Sequence, residues 1–182
     1  FTEKTGETRV WSYPDGLRGY LNEAMAEQEM AVPIFAMEKF IPKGGESGYA
    51  EGEGAAWAIV WSTEGAIVRE SYVNLIPTWS GGTHDSGLRD GVFNAVKSFA
   101  ELHGLLPKGV KLVPEDVFSR ASFVLSAKVL DPQFQGQTKD KLVSRDASAR
   151  GRSPASGRVS FRLPWPIVGL DPHRLDDVGA AL

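Results

Sequence analysis

AAWAIVWSTEGAIVRESYVNLIPTWSGGTHDSGLRDGVFNAVKSFAELHG, running from Ala55 to Gly104, sets two apolar strands ahead of one long amphipathic helix. Ala55 to Trp61 is almost wholly apolar, the pattern of a strand covered on both faces, with Trp57 and Trp61 as core residues. After the turn at Thr63-Glu64-Gly65, the run Ala66 to Ile76 reads as its neighbour in a hairpin, and Pro77 ends that pairing. A helix then begins near Gly82-Thr83, because Leu88, Val92, Ala95, Phe99 and Leu102 recur at steps of four and three. Thr83 is placed to cap it, Asp85 to complement its positive end, and Gly104 to close it in a left-handed conformation. Each side chain this helix buries on the sheet contributes about 1.5–3 kcal/mol.

Upstream, Phe1 to Tyr13 alternates loosely, as an edge strand does. Asp15 is a plausible cap for a helix whose apolar residues are Leu17, Tyr20, Leu21, Ala24 and Met25. Val32 to Phe40 reads as a strand, and the stretch Pro42 to Gly54, rich in glycine and charge, as a loop. Downstream, Pro114-Glu115-Asp116 opens a short helix through Arg120. Ser122 to Leu130 alternates, with Phe123, Leu125, Ala127 and Val129 on one side, so it reads as a half-buried strand. The loop PQFQGQTKDKL follows. The predicted class is α/β (or α+β): a mixed or mostly antiparallel sheet with helices packed on one face.

The 182 residues suit one domain with a small appendage. A net charge of −3 argues against nucleic-acid binding through overall positive charge, though not against a local basic strip. The absence of cysteine excludes disulfides, thiolate metal sites and a cysteine nucleophile. Three widely separated histidines lack ligand spacing, so no metal site is expected. No run approaches the roughly 18 apolar residues of a membrane span, and the start is not a signal peptide, so a cytoplasmic setting is expected. The chain opens at Phe1 and runs directly into polar sequence, which reads as a segment of something longer.

Two stretches carry chemistry: SYVNLIPTWSGGTHDSGLRDG (Ser71 to Gly91) and LSAKVLDPQFQGQTKDKLVSRD (Leu125 to Asp146). A lysine on a loop flexed by Gly136 presents a compact point charge suited to a phosphate, and a neighbouring glutamine adds an amide donor. By itself such a tripeptide is usually a solvated loop. His84 is expected to be structural at the helix start rather than catalytic, and Glu64, Glu70 and Glu115 form no obvious catalytic pair.

Together the two stretches resemble the B subunits of bacterial type IIA DNA topoisomerases. The likeness lies in Gly81-Gly82-Thr83-His84 opening a long helix and in a strand ending in Asp131-Pro132-Gln133-Phe134 before Gln137-Thr138-Lys139. The wording SYVNLIPT resembles the topoisomerase IV branch more than the gyrase branch, and the likeness spans roughly residues 10 to 146. It implies a transducer domain over 1–146, resembling the ribosomal protein S5 domain 2-like fold. Lys139 and Gln137 would contact the γ-phosphate of ATP held with magnesium by the adjacent ATPase domain, and Lys139 would act in catalysis. Arg89 would face DNA, with Lys97, Lys108 and Lys111 as further candidates, although a solvated helix face accounts equally well for them. The implied partners are DNA, the adjoining ATPase domain, a second B subunit, and the topoisomerase IV A subunit in a heterotetramer. The implied role couples ATP binding and hydrolysis to strand passage, while this segment by itself is not expected to hydrolyse ATP or relax DNA.

Three other readings remain open: the corresponding part of gyrase, a non-enzymatic nucleic-acid-binding module of similar architecture, and an inert fragment. From about Ala147 the chain changes character, with prolines at 154, 164, 166 and 172 and scattered Arg, Ser and Gly. The segment 147–182 looks like a shifted reading frame or an unrelated terminus, and is expected to be poorly ordered from about residue 150.

Overall fold

In chain order the elements are α1 (Gly16–Ala24), β1 (Phe35–Phe40), β2 (Gly54–Trp61), β3 (Arg69–Val73), β4 (Ile76–Pro77), α2 (Thr83–Leu102), α3 (Pro114–Phe118), β5 (Ala121–Lys128), β6 (Phe134–Gln135) and β7 (Lys141–Leu142). The computed structural model describes residues 8, 10, 12–44 and 50–144. The edge strand expected before Tyr13 falls largely outside the described residues, and the tail from Ala147 wholly so.

The main sheet has the order β1-β2-β5-β3-β4. β2 is antiparallel to both β1 and β5, whereas β3 is parallel to β5 and antiparallel to β4. The sheet is therefore mixed, and the predicted β2–β3 hairpin does not form. β5 lies between those two strands, and the linker after Trp61 is long enough to cross the ~9–10 Å that one intervening strand imposes. A parallel pair needs a crossover of a dozen residues or more, which α2 and α3 supply between β3 and β5.

Helices cover both faces, not one as expected. Alternate residues of a strand point to opposite sides. Trp57, Ile59, Phe123 and Leu125 pack with Leu88 and Val92 of α2 and with Val117 and Phe118 of α3. Ala58, Val60 and Val124 face the other way and pack with Leu21 and Met25. This explains the unbroken apolar run of β2 and corrects the half-buried reading of β5, whose residues Ala121 to Leu125 are all buried. Ser122 is tolerated there because its Oγ accepts the Val68 N–H at 3.0 Å.

Local details also depart from expectation. Asp15 occupies the N-cap of α1 but makes no side-chain cap bond, since its backbone (φ −88°, ψ 16°) is not the extended one a cap requires. On α2 the buried positions are His84, Gly87, Leu88, Val92 and Ala100, and Leu102 is exposed. The contact stripe thus steps by four, which suits the ridges of a helix lying on a sheet. Pro77 does not end pairing: it sits in β4, the edge strand, where a missing N–H is harmless. Gly104 takes the expected left-handed conformation after α2 (φ +63°), and Asp116 accepts the Val113 N–H at the start of α3 (2.8 Å).

α1 is fastened to β3 by a carboxylate. Glu70 Oε2 accepts the hydroxyls of Tyr20 (2.9 Å) and Tyr72 (2.8 Å). Burial, and then the hydrogen bond to Glu70, raise the pKa of both phenols, so both stay protonated donors at neutral pH. Tyr72→Phe is expected to cost about 0.5–1.5 kcal/mol in urea denaturation. Because both donors share one oxygen, Tyr20→Phe with Tyr72→Phe should be non-additive; strict additivity would mean that the pair does not act as a unit.

Candidate functional site

β6 and β7 form a small antiparallel hairpin, with Phe134 opposite Leu142 and Gln135 opposite Lys141. Gly136 turns the chain with φ +73°. Gln137, Thr138 and Lys139 then lie exposed at the tip. Lys139 has φ +58°, a left-handed conformation costing an L-residue roughly 1–2 kcal/mol. Its ammonium lies 5.9 Å from the centre of the Phe134 ring and makes no ion pair among the described residues. The three tip residues therefore hold out one positive charge, on Lys139, and one amide, on Gln137, both accessible.

The hairpin base meets the start of α2. Ser80 N–H donates to Asp140 O (2.9 Å) and Leu142 N–H to Gly81 O (3.1 Å), and Gly82 forms a parallel bridge with Leu142. The Gly-Gly-Thr-His segment and the Gln-Thr-Lys segment, far apart in the chain, are thus in backbone contact. Thr83 is not the cap expected of it: Gly82 holds the N-cap, its carbonyl receives the Ser86 N–H (3.0 Å), and the Thr83 hydroxyl is buried without a hydrogen-bond partner.

His84 is structural, as expected. It is fully buried, with Nε2 3.0 Å from Thr78 Oγ1. Thr78 Oγ1 donates to Ser71 O (2.9 Å) and lies 2.7 Å from Ser71 Oγ. Since the single threonine proton goes to the Ser71 carbonyl, Nε2 is assigned as the donating nitrogen. Burial lowers the histidine pKa to about 4, with the Asp85 charge opposing the shift, so the ring is neutral at pH 7.

Arg89 stands one turn further along α2. Its Nε donates to Asp85 Oδ2 at 3.0 Å, and its guanidinium carbon lies 5.2 Å from the centres of both the Phe118 and Phe123 rings. A third of the side chain is exposed. Arg69, Ser71, Thr78, Trp79, Asp85 and Arg89 line a cleft of about 350 Å³ beside it. Lys97 pairs with Glu101 (3.8 Å), and Lys108 and Lys111 are exposed between α2 and α3.

Sequence reading missed Arg69 and Asn74. The Arg69 guanidinium donates to the carbonyls of Phe118 and Ala121 and so ties β3 to the α3–β5 turn. Asn74 (φ 49°) and Leu75 (φ 67°) make the tight β3–β4 turn that ends the strand early. Asparagine is the non-glycine residue most at ease there, so Asn74 was itself a legible signal. Its amide also exchanges two hydrogen bonds with Val129, at 2.8 and 3.0 Å. Among the described residues, no group of three or more His, Asp or Glu is placed to hold a metal ion, and no helix is long and apolar enough to cross a membrane.

The two stretches that resemble type IIA topoisomerase B subunits are thus in contact on one helix-covered mixed sheet. The chain belongs to the DNA gyrase B family, whose model matches residues 16–155. Within that family it is similar to the B subunits of topoisomerase IV: 50% identical over 150 residues to the Pseudomonas aeruginosa protein and 46% identical over 140 residues to that of Escherichia coli K12. These matches cover 81% and 76% of this chain but only 22% and 21% of the relatives, so the chain spans about a fifth of their length. Among solved structures it is similar to the topoisomerase IV ATP-binding domain of Francisella tularensis in complex with a small-molecule inhibitor. There the TM-score is 0.61 at 31% identity, covering 79% of this chain and 36% of that one. The 43K ATPase domain of Thermus thermophilus gyrase B shares the fold, with a TM-score of 0.69 at 20% identity over 97% of this chain and 44% of that one.

Proposed function

We propose that this chain acts as the transducer domain of a topoisomerase IV B subunit, over residues 1–146, coupling ATP binding and hydrolysis in an adjacent ATPase domain to the passage of one DNA duplex through another. The observation that carries this reading is the exposed Lys139, without an ion pair among the described residues, at the tip of a hairpin whose base is joined to α2. Lys139 donates to the γ-phosphate and stabilises its charge, and Gln137 supplies a second donor from the same tip. The residues suit a nucleotide phosphate held by another domain: they offer donors from an exposed hairpin tip. Magnesium comes with that nucleotide. When the γ-phosphate leaves, Lys139 loses its partner, and the two arrangements of the domains differ in energy by that contact.

Arg89 is the DNA-facing residue in this reading. Asp85 occupies its Nε and offsets part of its charge, so what it presents to a phosphate is the outer edge of the guanidinium. The partners are DNA, the topoisomerase IV A subunit and a second B subunit, in a cytoplasmic, nucleoid-associated heterotetramer. The identity to topoisomerase IV proteins favours decatenation over the negative supercoiling of gyrase.

The test is a graft. A complete P. aeruginosa topoisomerase IV B subunit carrying residues 16–144 of this chain in place of its own segment is combined with its cognate A subunit, ATP and magnesium. It is expected to unlink catenated DNA circles without introducing supercoils. Supercoiling would transfer the assignment to gyrase, and a folded graft without ATP-dependent activity of either kind would remove the reading.

A further inference from the structure

The contact between hairpin and helix is closer than side chains permit. Gly82 has φ +142°, and a Cβ built on it would stand 2.4 Å from Leu142 O, 2.6 Å from Leu142 N and 2.9 Å from its Cα. All three are backbone atoms, which cannot swing aside as a side-chain tip can. On the other side Leu142 is only 3% exposed and packs with Val73 and Ala127, against Val129 and Phe134. The returning arm of the hairpin is therefore gripped between α2 and the ends of β3 and β5. Gln133 N–H to Ser144 Oγ and Val143 N–H to Gln133 O, each 2.8 Å, close its two arms together. Lys139 stands three residues before Leu142, within ~10–11 Å of extended chain.

We propose that Gly82 is a positioning residue for Lys139: by lacking a Cβ it seats β7 on the first turn of α2, which sets where the ammonium stands and passes a pull on Lys139 into the helix. This deepens the function proposed above and rests on its reading of Lys139. Misplacing a reacting group by ~1 Å costs up to ~10²-fold in rate. A methyl at Gly82 forces a shift of that order at β7, because the 2.4 Å approach must open towards ordinary contact distance. Thr78, His84 and Ser71 hold the helix side of the seat, and because alanine at φ +142° also strains the backbone of residue 82 itself, Leu142→Ala serves as the second variant.

The experiment has two readouts. In this chain itself, Gly82→Ala is expected to speed hydrogen exchange at the Leu142 and Val143 amides by about 10-fold or more, as loss of the local seat lets them open. In the complete grafted protein, Gly82→Ala is expected to lower kcat for ATP by about 10-fold or more at little-changed nucleotide affinity. Added to Lys139→Ala it should lower kcat no further, because both act through one contact. Leu142→Ala, which loosens the same seat without adding a clash, should reproduce the exchange and kcat effects, and it decides the matter if Gly82→Ala does not fold. Unchanged exchange at Leu142 and Val143 overturns the proposal, as does a normal kcat in variants whose exchange is fast while Lys139→Ala is inactive. A normal kcat in Lys139→Ala instead overturns the nucleotide-sensing reading, and with it the catalytic half of this inference. The exchange data then still judge the seat.

Discussion

Replacing Lys139 with alanine in the complete grafted protein is expected to lower ATP turnover by about 10²–10³-fold, the effect of deleting one preorganised donor to a developing anion. ATP binding should change little, because the base, sugar and magnesium contacts lie in the neighbouring domain under this reading. Only contacts stronger in the transition state than in the ground state accelerate the chemical step, so the loss belongs in kcat rather than KM. The backbone supplies a control. Lys139 sits at φ +58°, where glycine is at ease, so Lys139→Gly should match the alanine variant in turnover without loss of folding stability. Lys139→Arg keeps the charge but offers a planar fork in place of a point donor, and should recover activity only in part. Steady-state turnover with calorimetric nucleotide binding separates the outcomes, and near-normal turnover in Lys139→Ala would falsify the assignment.

Acidification is expected to destabilise the fold through His84. Burial holds the folded-state pKa at about 4, against 6.5 for a free histidine. Above pH 6.5 both folded and unfolded chains carry the neutral ring. As pH falls from 6.5 towards 4, the unfolded chain binds a proton that the folded chain refuses, so stability drops through that window and levels off below it. The full shift corresponds to about 3 kcal/mol. His84→Gln keeps an N–H donor near Thr78 while removing the titration, so its stability should decline less steeply over the same range. Urea denaturation at pH 7 and pH 4.5 on both proteins isolates the effect, since the carboxylates are common to the two. Parallel pH profiles would mean that the ring is protonated in the fold, or reached by solvent.

The site was legible in unequal parts. Gln137 and Lys139 stand out only through the family resemblance, since by composition the tripeptide is an ordinary solvated loop; the structure puts both at an exposed tip. That the same hairpin touches Gly82 was not readable, since the contact joins segments some sixty positions apart through backbone atoms with no side-chain signature. For Arg89 the sequence offers a DNA-facing or a solvated helix face; its partner Asp85 and the two phenyl rings beside it depend on how α2 packs on α3 and β5. Arg69 was passed over because a charge within an alternating strand ordinarily faces solvent. Here it meets the carbonyls left free where α3 ends.

For the fold, local sequence was enough to place α1, α2, α3, β1, β2 and β5 to within a few residues. Periodicity and end signals such as Pro114 and Gly104 act over one or two turns of chain, a range the sequence spells out. Local sequence could not say that β5 enters between β2 and β3, that β3 runs parallel to it, or that α1 takes the opposite face from α2. Those choices depend on apolar surface that one segment can bury only against another distant in the chain. Val124 buries itself against Leu21 and Met25 while its neighbour Phe123 does so against Leu88, and only the assembled sheet has both sides to offer.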